Sequence, residues 1–414
     1  LVTPQNTGAQ NSVFGAPGVK GPDDVVIVSA RRTANTKARK GGFKDTTPDD
    51  LLVAVFKAVL DETKIDPALV QDVVIGNAQL SGAYNLPSRT SALRAGIPET
   101  CGLRTLNRQC SSGSQAISSL AADIKASYID IGIAGGVESM TNGGNPGDPS
   151  SMPPMNLSEI FENPLAAQCL NPMGITSENV AEKFGITREQ QDQLAVDSHT
   201  KALAAQAAGK FDKEMVPVKV TVEDAEGNEK EVVISKDEGP RPGTTMEGLA
   251  KLKPAFKKGG STTAGNSSQT SDGAAAVLMM KRSKAQELGL KVLGTFRGSK
   301  VVGCPPEIMG IGPAVAIPAL LKDTGVSMDQ IDVFEINEAF ASQATYCVEK
   351  LKVPREKLNP NGGAISLGHP LGQSGARMAA TLLHELERKG GNNKLGVVSM
   401  CVGGGFGFAC LMES

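Results

Sequence analysis

Tryptophan is absent from this 414-residue chain, and tyrosine and histidine occur three times each. No stretch of 18 apolar residues occurs, which excludes a membrane-spanning helix. The formal net charge is only −2, so nothing in the charge balance points to nucleic acid or to an acidic membrane surface. No C-x-x-C pair exists among the seven scattered cysteines, which argues against a zinc site or a thioredoxin-like motif and leaves no metal centre to expect. Free thiols in a reducing compartment fit that pattern. No G-x-G-x-x-G follows the first apolar run, which argues against a dinucleotide site. The stretch from Gly368 to Ser374 resembles a phosphate loop only superficially. It is one residue short, and Gln373 stands where lysine is needed.

What is abundant is glycine, 47 residues of it, within a chain that is 40% hydrophobic. That length and apolar content suffice for two or three structural units, and a Gly-rich, aromatic-poor composition suits helices packed tightly on sheets. Residues 1–22 are polar and rich in Gly and Pro, without the apolar core of a secretory signal, and read as a flexible leader. The C-terminal Leu411-Met412-Glu413-Ser414 is not an S-K-L address.

The body alternates strands and helices twice. Buried strands are expected at Asp24 to Ser29, Gln71 to Asn77 and Asp130 to Gly136. Helices are expected from Pro48 and from about Ser112 to Ala126. The second half repeats this grammar with strands at Gln330 to Asn337 and Leu395 to Met400, and a helix from about Ala376 to Arg388. An α/β fold of two similar halves with buried sheets follows. Residues 140–270 have another texture: Pro/Gly/Met-rich stretches, an amphipathic helix near 187–208, and a charged hairpin around Glu223 to Lys230. An insertion of that length suggests a substrate-covering region. The expected division is 23–139 plus 271–290, then 140–270, then 291–414.

Three glycine-rich turns carry reactive groups. Cys110 sits in Asn107-Arg108-Gln109-Cys110-Ser111-Ser112-Gly113, ahead of a helix whose unpaired N–H groups favour a thiolate. An ordinary cysteine is more often a small core residue. The N-x-x-C-x-S-G context overturns that reading. His369 stands in Gly368-His369-Pro370, where an imidazole could take the Cys110 proton. His199 and His384 fall inside helical patterns and read as surface or hydrogen-bonded residues. Cys401 precedes Gly403-Gly404-Gly405, where backbone N–H groups can approach a substrate oxygen and the thiol can serve as acid and base. Asn337-Glu338-Ala339-Phe340 ends a strand. Asn337 can orient a water or an oxyanion donor, and Glu338 can hold neighbours in register.

These residues resemble the thiolase family, and among its branches the degradative 3-ketoacyl-CoA thiolases of peroxisomes. The matching stretches are Asn107 to Gln115, Gly136 to Thr141, Pro172 to Thr176, Asp237 to Pro242, Thr263 to Ser268, Asn337 to Phe340, Gly362 to Gly375 and Ser399 to Gly405. The resemblance implies α-β-α-β-α layers with the loop domain inserted in the first half. It implies an acyltransferase that cleaves 3-ketoacyl-CoA with coenzyme A, giving acetyl-CoA and a shortened acyl-CoA, in fatty acid β-oxidation. Cys110 matches the acylated nucleophile, His369 its base and Cys401 the second acid/base. Asn337 matches the holder of a water that shares one oxyanion hole with His369, and the amides of Cys110 and Gly403 match the other. Ser268 and Arg241 match coenzyme A contacts, and Met173 and Phe340 match positions around the acyl group. Coenzyme A is implied as a co-substrate with no permanently bound cofactor, a homodimer as the assembly, and the peroxisome as the location. No N-terminal peroxisomal signal of the R-L…H-L kind is visible. Pro172 stands where acetoacetyl-CoA thiolases usually carry His, which favours the degradative branch. The alternatives are an acetoacetyl-CoA thiolase running in the biosynthetic direction, a ketosynthase-like condensing enzyme, and a non-enzymatic acyl-CoA carrier.

Overall fold

The computed structural model describes residues 13–143, 154–223, 227–390 and 392–414. The first half runs β1 (Val25–Thr33), α1 (Pro48–Thr63), β2 (Asp72–Gly76), β3 (Gly102–Leu106), α2 (Ser112–Lys125) and β4 (Ile131–Ser139). The intervening region contributes α3 (Met173–Phe184) and α4 (Arg188–Ala207). Strand β5 (Ser271–Lys281) then returns to the first half, hydrogen-bonded between β1 and β4. The second half comprises β6 (Gly294–Gly303), α5 (Gly312–Thr324), β7 (Ile331–Ile336), α6 (Ala341–Leu351), α7 (Leu371–Lys389), β8 (Leu395–Val402) and β9 (Phe406–Glu413).

Strand order exposes the duplication. The path runs β3-β2-β4-β5-β1 and continues through β6-β9-β8-β7. Counted within each half, the first reads 3-2-4-5-1 and the second 2-4-5-1. The missing third strand survives as a single parallel bridge from Leu358 to Phe334 on β7. Alternating side chains on the buried strands feed two different cores, as period-2 geometry requires. Val26, Val73, Ile75 and Ile133 face α1, whereas Val25, Ile27, Val74 and Ala134 face inward to α2 and α7. On the other side Phe334, Val397 and Leu411 pack with Ile317 and Leu320 of α5. The layers are therefore α1, sheet, α2 with α7, sheet, α5.

The central helix pair is close because it is made of small residues. A Cβ on Gly113 would lie 2.7 Å from the Gly372 carbonyl oxygen and 2.9 Å from the Ala376 nitrogen. A Cβ on Gly375 would overlap the Ser114 backbone. Helix α7 begins at Leu371, five residues before the expected Ala376, with Pro370 at its N-cap. Its glycines, read from sequence as a loop, are instead the surface that admits α2.

The helix at 188–207 is present, but its buried stripe is polar and small: Gln191, Asp192, Ala195, Ser198, His199, Ala202 and Ala205. The charged hairpin forms from strands Val218–Glu223 and Glu229–Ile234. Part of its turn lies outside the described residues. Of the leader, 1–12 also lie outside them. Residues 13–22 are tethered: Arg297 donates to the carbonyls of Phe14 (3.2 Å) and Val19 (2.8 Å), and Phe14 packs edge-on against Phe296. Among the described residues no helix is long and apolar enough to cross a membrane.

Candidate active site

The nucleophile turn joins β3 to α2. Gln109, directly before Cys110, is held at φ +47°, a left-handed conformation costly for a residue with a Cβ. Local hydrogen bonds sustain it. The Gln109 amide donates to Asn107 Oδ1 at 2.8 Å, and the Arg108 amide donates to Ser112 Oγ at 2.9 Å. Cys110 is buried, 8% exposed as a whole residue. Burial pushes its thiol up to about 11; the amides of Gly403 and of Cys110 itself pull it back, and Glu138 adds to the rise. The helix-terminus effect expected from sequence is thus outweighed by desolvation, and the resting sulfur is a thiol.

His369 lies between a four-residue helix, Ala364–Leu367, and α7. Gly368 before it has φ +87°, and a Cβ there would collide with Ser271. The His369 amide donates to the Gln269 carbonyl at 3.0 Å. Its Nδ1 lies 2.6 Å from Ser374 Oγ, whose own proton goes to the Pro370 carbonyl at 2.8 Å. The serine oxygen therefore accepts, Nδ1 carries the hydrogen, and Nε2 is left as the bare base. Asn337 Nδ2 faces that Nε2 at 3.2 Å. Burial, and then the charge of Arg377, pulls the imidazole down to about 3, so it rests neutral.

Cys401 ends β8 and is fully buried, packed with Met309, Ala339 and Phe340. Burial holds its thiol well above the usual range, and a charge on Cys110 raises it further, so the two sulfurs lie within electrostatic reach. Beyond it, Gly404 and Gly405 adopt φ +84° and +94° and turn the chain into β9. This turn aims the Gly403 amide at the Cys110 sulfur.

The helix contact assembles these parts. Cys110 and His369 each stand three residues ahead of the glycine, Gly113 or Gly372, at which α2 meets α7. The loop at 263–268 is zipped onto the Asn337 turn: the Ser268 amide donates to Ala339 (3.0 Å), and the Ala341 amide donates to Asn266 (2.9 Å). Phe340 bridges Ser267 and meets Phe256 edge-on. Met173, 36% exposed, brings its sulfur near Gly403. Glu338 accepts from Ser198 (2.6 Å), Asn359 (2.7 Å) and the Ile365 amide (3.3 Å), bracing the turn as expected. Arg241 is not in this web of contacts: its side chain is exposed, and its amide donates to His199 Nδ1 at 3.1 Å. His199 and His384 are both buried and hydrogen-bonded, the latter to the Ala30 carbonyl at 3.1 Å.

Two participants escaped the sequence reading. Ser374 sets the tautomer of His369, and its position five residues after the histidine was the available signal. Glu138 accepts from Asn77, Ala78, Gln79 and Gly372 at 2.9–3.2 Å, tying the loop after β2 to the first turn of α7.

Comparison with known proteins is consistent along the chain. Residues 25–283 match the family model "Thiolase, N-terminal domain", and residues 290–414 match "Thiolase, C-terminal domain". The chain is 58% identical to peroxisomal 3-ketoacyl-CoA thiolase B of Rattus norvegicus, over 94% of this chain and 91% of that one. It superposes on the dimeric peroxisomal thiolase of Saccharomyces cerevisiae with TM-score 0.88 and 46% identity, covering 96% of this chain and 99% of that one. A second structure of the yeast peroxisomal 3-ketoacyl-CoA thiolase is described as five-layered, with two core domains of identical topology. It matches with TM-score 0.77 and 41% identity over 95% of this chain and 99% of that one. Two matched domains spanning nearly the whole sequence, on a scaffold whose halves repeat one strand order, mean that this chain belongs to the thiolase family.

Proposed function

We propose that this protein is a degradative 3-ketoacyl-CoA thiolase, an acyltransferase of fatty acid β-oxidation that works in the peroxisome as a homodimer. It uses coenzyme A as co-substrate and needs no resident cofactor. Residues 23–139 with 271–290, and 291–414, act as the two core halves, and 140–270 as the region that covers the substrate.

The observation that carries the reading is the Gly403 amide directed at the Cys110 sulfur, with Cys401 two residues away. Any acyl group on that sulfur places its carbonyl oxygen beside this amide, where negative charge develops. As Cys110 attacks the 3-keto carbon, its proton passes to His369 Nε2. The bond between C2 and C3 breaks, and its electrons form the enolate of acetyl-CoA. The imidazolium N–H and a water on Asn337 hold the enolate oxygen. The buried, unpartnered Asn337 Oδ1 supports such a water. Cys401 protonates C2 and releases acetyl-CoA. The Cys401 thiolate then takes the proton of incoming coenzyme A, whose sulfur attacks the acyl carbon; Cys110 departs and regains its proton from His369. Two neutral buried thiols suit this sequence, because each gives up a proton only when a partner arrives. Met173 and Phe340 flank the acyl group, and Ser268 and Arg241 contact coenzyme A.

The test is thiolysis of 3-ketoacyl-CoA substrates of several lengths, with acetyl-CoA release followed directly. Wild type turns over, Cys110→Ala does not, and brief exposure to substrate without coenzyme A leaves an acyl mass on Cys110. Absence of thiolysis in the folded wild type, or full activity in Cys110→Ala, sinks the reading. Activity confined to acetoacetyl-CoA would favour the biosynthetic alternative instead.

A further inference from the structure

Glu138, near the end of β4, is wholly buried, and its carboxylate accepts from four N–H groups. Oε1 accepts from Asn77 Nδ2 at 3.1 Å and from the Gln79 amide at 3.2 Å. Oε2 accepts from the Ala78 amide at 3.0 Å and from the Gly372 amide at 2.9 Å. Gly372 lies in the first turn of α7, where amides have no partner within the helix. Pro370, at the N-cap, has no side-chain acceptor to offer it. The cap comes instead from a strand of the first half. From Ala78 the bonds run on to the nucleophile turn. The Ala78 carbonyl accepts from Asn107 Nδ2 at 2.9 Å, and Asn107 Oδ1 accepts from the Gln109 amide at 2.8 Å, which holds the left-handed residue directly before Cys110. On the other side His369 stands three residues before Gly372. A single carboxylate oxygen therefore joins the lead into Cys110 to the helix that follows His369.

We propose that Glu138 is a positioning residue for the acyl transfer: by holding the Ala78 and Gly372 amides on one oxygen, it fixes the spacing between the Cys110 turn and the His369 loop. The inference deepens the thiolase reading and rests on it for the roles of Cys110 and His369. Transfer of the thiol proton to the imidazole depends steeply on their separation, and an error near 1 Å costs up to about 100-fold in rate. The glycine contact between α2 and α7 sets the coarse approach of the two helices. Cys110 and His369 lie beyond that contact, on the leads into the helices, and the Glu138 bonds hold those leads in register. Four N–H donors require a carboxylate. A glutamine would turn its own N–H groups against either the Asn77 and Gln79 donors or the Ala78 and Gly372 donors. Burial lifts the carboxyl to about 7, and the same four donors pull it back, so above pH 8 it is mostly the charged acceptor that this geometry uses.

The test is Glu138→Asp in the full chain, assayed at about pH 8.5, where wild-type Glu138 is charged. The variant keeps the charge but draws the carboxylate back by one methylene, away from Gly372. Thiolysis is measured as kcat and KM per site that takes up an acyl mass at Cys110. Alkylation of Cys110 by iodoacetamide without substrate is followed by peptide mass, with the exposed Cys169 as internal reference. We expect kcat to fall about 10- to 100-fold with KM little changed, and Cys110 to alkylate about tenfold more slowly while Cys169 keeps its rate. A merely structural role lowers the folded fraction and leaves both rates per folded site unchanged. A role through charge alone also leaves the aspartate variant at wild-type rates. A wild-type value of either rate in the folded variant overturns the proposal. If Glu138→Asp does not fold, Asn107→Ala decides: this side chain is exposed, and its loss severs Ala78 from Gln109 without touching the buried carboxylate. Slower Cys110 alkylation with lower kcat supports the chain of bonds, and a wild-type value of either ends it. Alkylation needs no turnover, so a wild type without thiolysis would sink the assigned reaction while leaving this comparison intact.

Discussion

His369 is buried as a neutral ring, and that has a cost in acid. Its folded pKa, pulled down to about 3 by burial and by Arg377, lies below the ordinary value of 6.5. The unfolded chain therefore binds the proton first, and the contribution of this residue to stability is lost as pH falls from about 6.5 towards 3. Glu138 and Glu335, lifted to about 7 and about 8, act with the opposite sign in part of that window, so the raw pH profile mixes them. A difference measurement isolates the imidazole. His369→Asn lacks the titrating group, and its melting temperature is expected to fall less between pH 7 and 5 than that of wild type. The difference amounts to about 2 kcal/mol at pH 5; parallel curves would contradict it. Ser374 is tested at the same scale. Ser374→Ala removes the acceptor for Nδ1–H, so the tautomer that leaves Nε2 bare is no longer enforced. We expect kcat to drop about 10- to 100-fold with KM little changed, part of the roughly 100-fold or more that a correctly placed general base contributes. A fall in KM-dependent binding alone would speak against that role.

At the scale of elements, the reactive turns were readable in sequence because each carries its chemistry and its backbone freedom together. Cys110 with the N-x-x-C-x-S-G run, His369 between Gly and Pro, and Cys401 before three glycines all announce themselves locally. What stayed hidden was set by distant neighbours. Helix α7 starts five residues early because its glycines face another helix, a contact that no local pattern encodes. The stripe of α4 that goes inside is Gln191, Asp192, Ser198 and His199, polar groups that only tertiary partners make buriable. The expected thiolate at Cys110 failed for the same reason: the helix end was legible, and the depth of burial was not. The α2–α7 contact yields its own prediction. In Gly113→Ala the added methyl would meet the Gly372 carbonyl oxygen at 2.7 Å and the Ala376 nitrogen at 2.9 Å, both backbone atoms that cannot step aside alone. The helices must separate, at a cost of about 1–3 kcal/mol. Because Cys110 and His369 sit at the very ends that part, kcat falls further than the stability loss explains. Gly185→Ala, at a helix end with nothing within 4 Å, serves as the comparison: it strains a left-handed backbone while leaving the catalytic helices in contact. Equal kcat in the two variants at matched stability would deny the contact its catalytic role.

Across the whole molecule, duplication was legible as a repeated grammar, whereas the identity of strand order, 3-2-4-5-1 in both halves with its third strand shrunk to Leu358, needed coordinates. The same scale shows how the intervening region is fastened to the cores. Arg32 on β1 is wholly buried and joins Glu214 and Asp237, both from the segment between α4 and β5. Thr381 of α7 donates to the same Glu214 at 2.9 Å, and the Asn35 amide donates to Asp237 at 2.8 Å. First half, second half and intervening region thus share one buried polar knot. Burial works against the charge on Arg32, and the two carboxylates more than restore it, holding the guanidinium above its usual value. The pair interactions roughly offset the cost of desolvating three charges, so the knot adds little net stability while all members are present. Removing one member is different, because it strands the others in an apolar interior. Arg32→Met is therefore expected to destabilise the protein by about 3–5 kcal/mol in urea unfolding. Replacing all three together with apolar residues of similar volume should recover most of that loss. The intact knot also predicts where the single variant opens first: limited proteolysis should cut between residues 208 and 270 before either core half. A single variant that unfolds with wild-type midpoint, or cleavage that begins in the core strands, would mean that the region between the halves is held by something other than this knot.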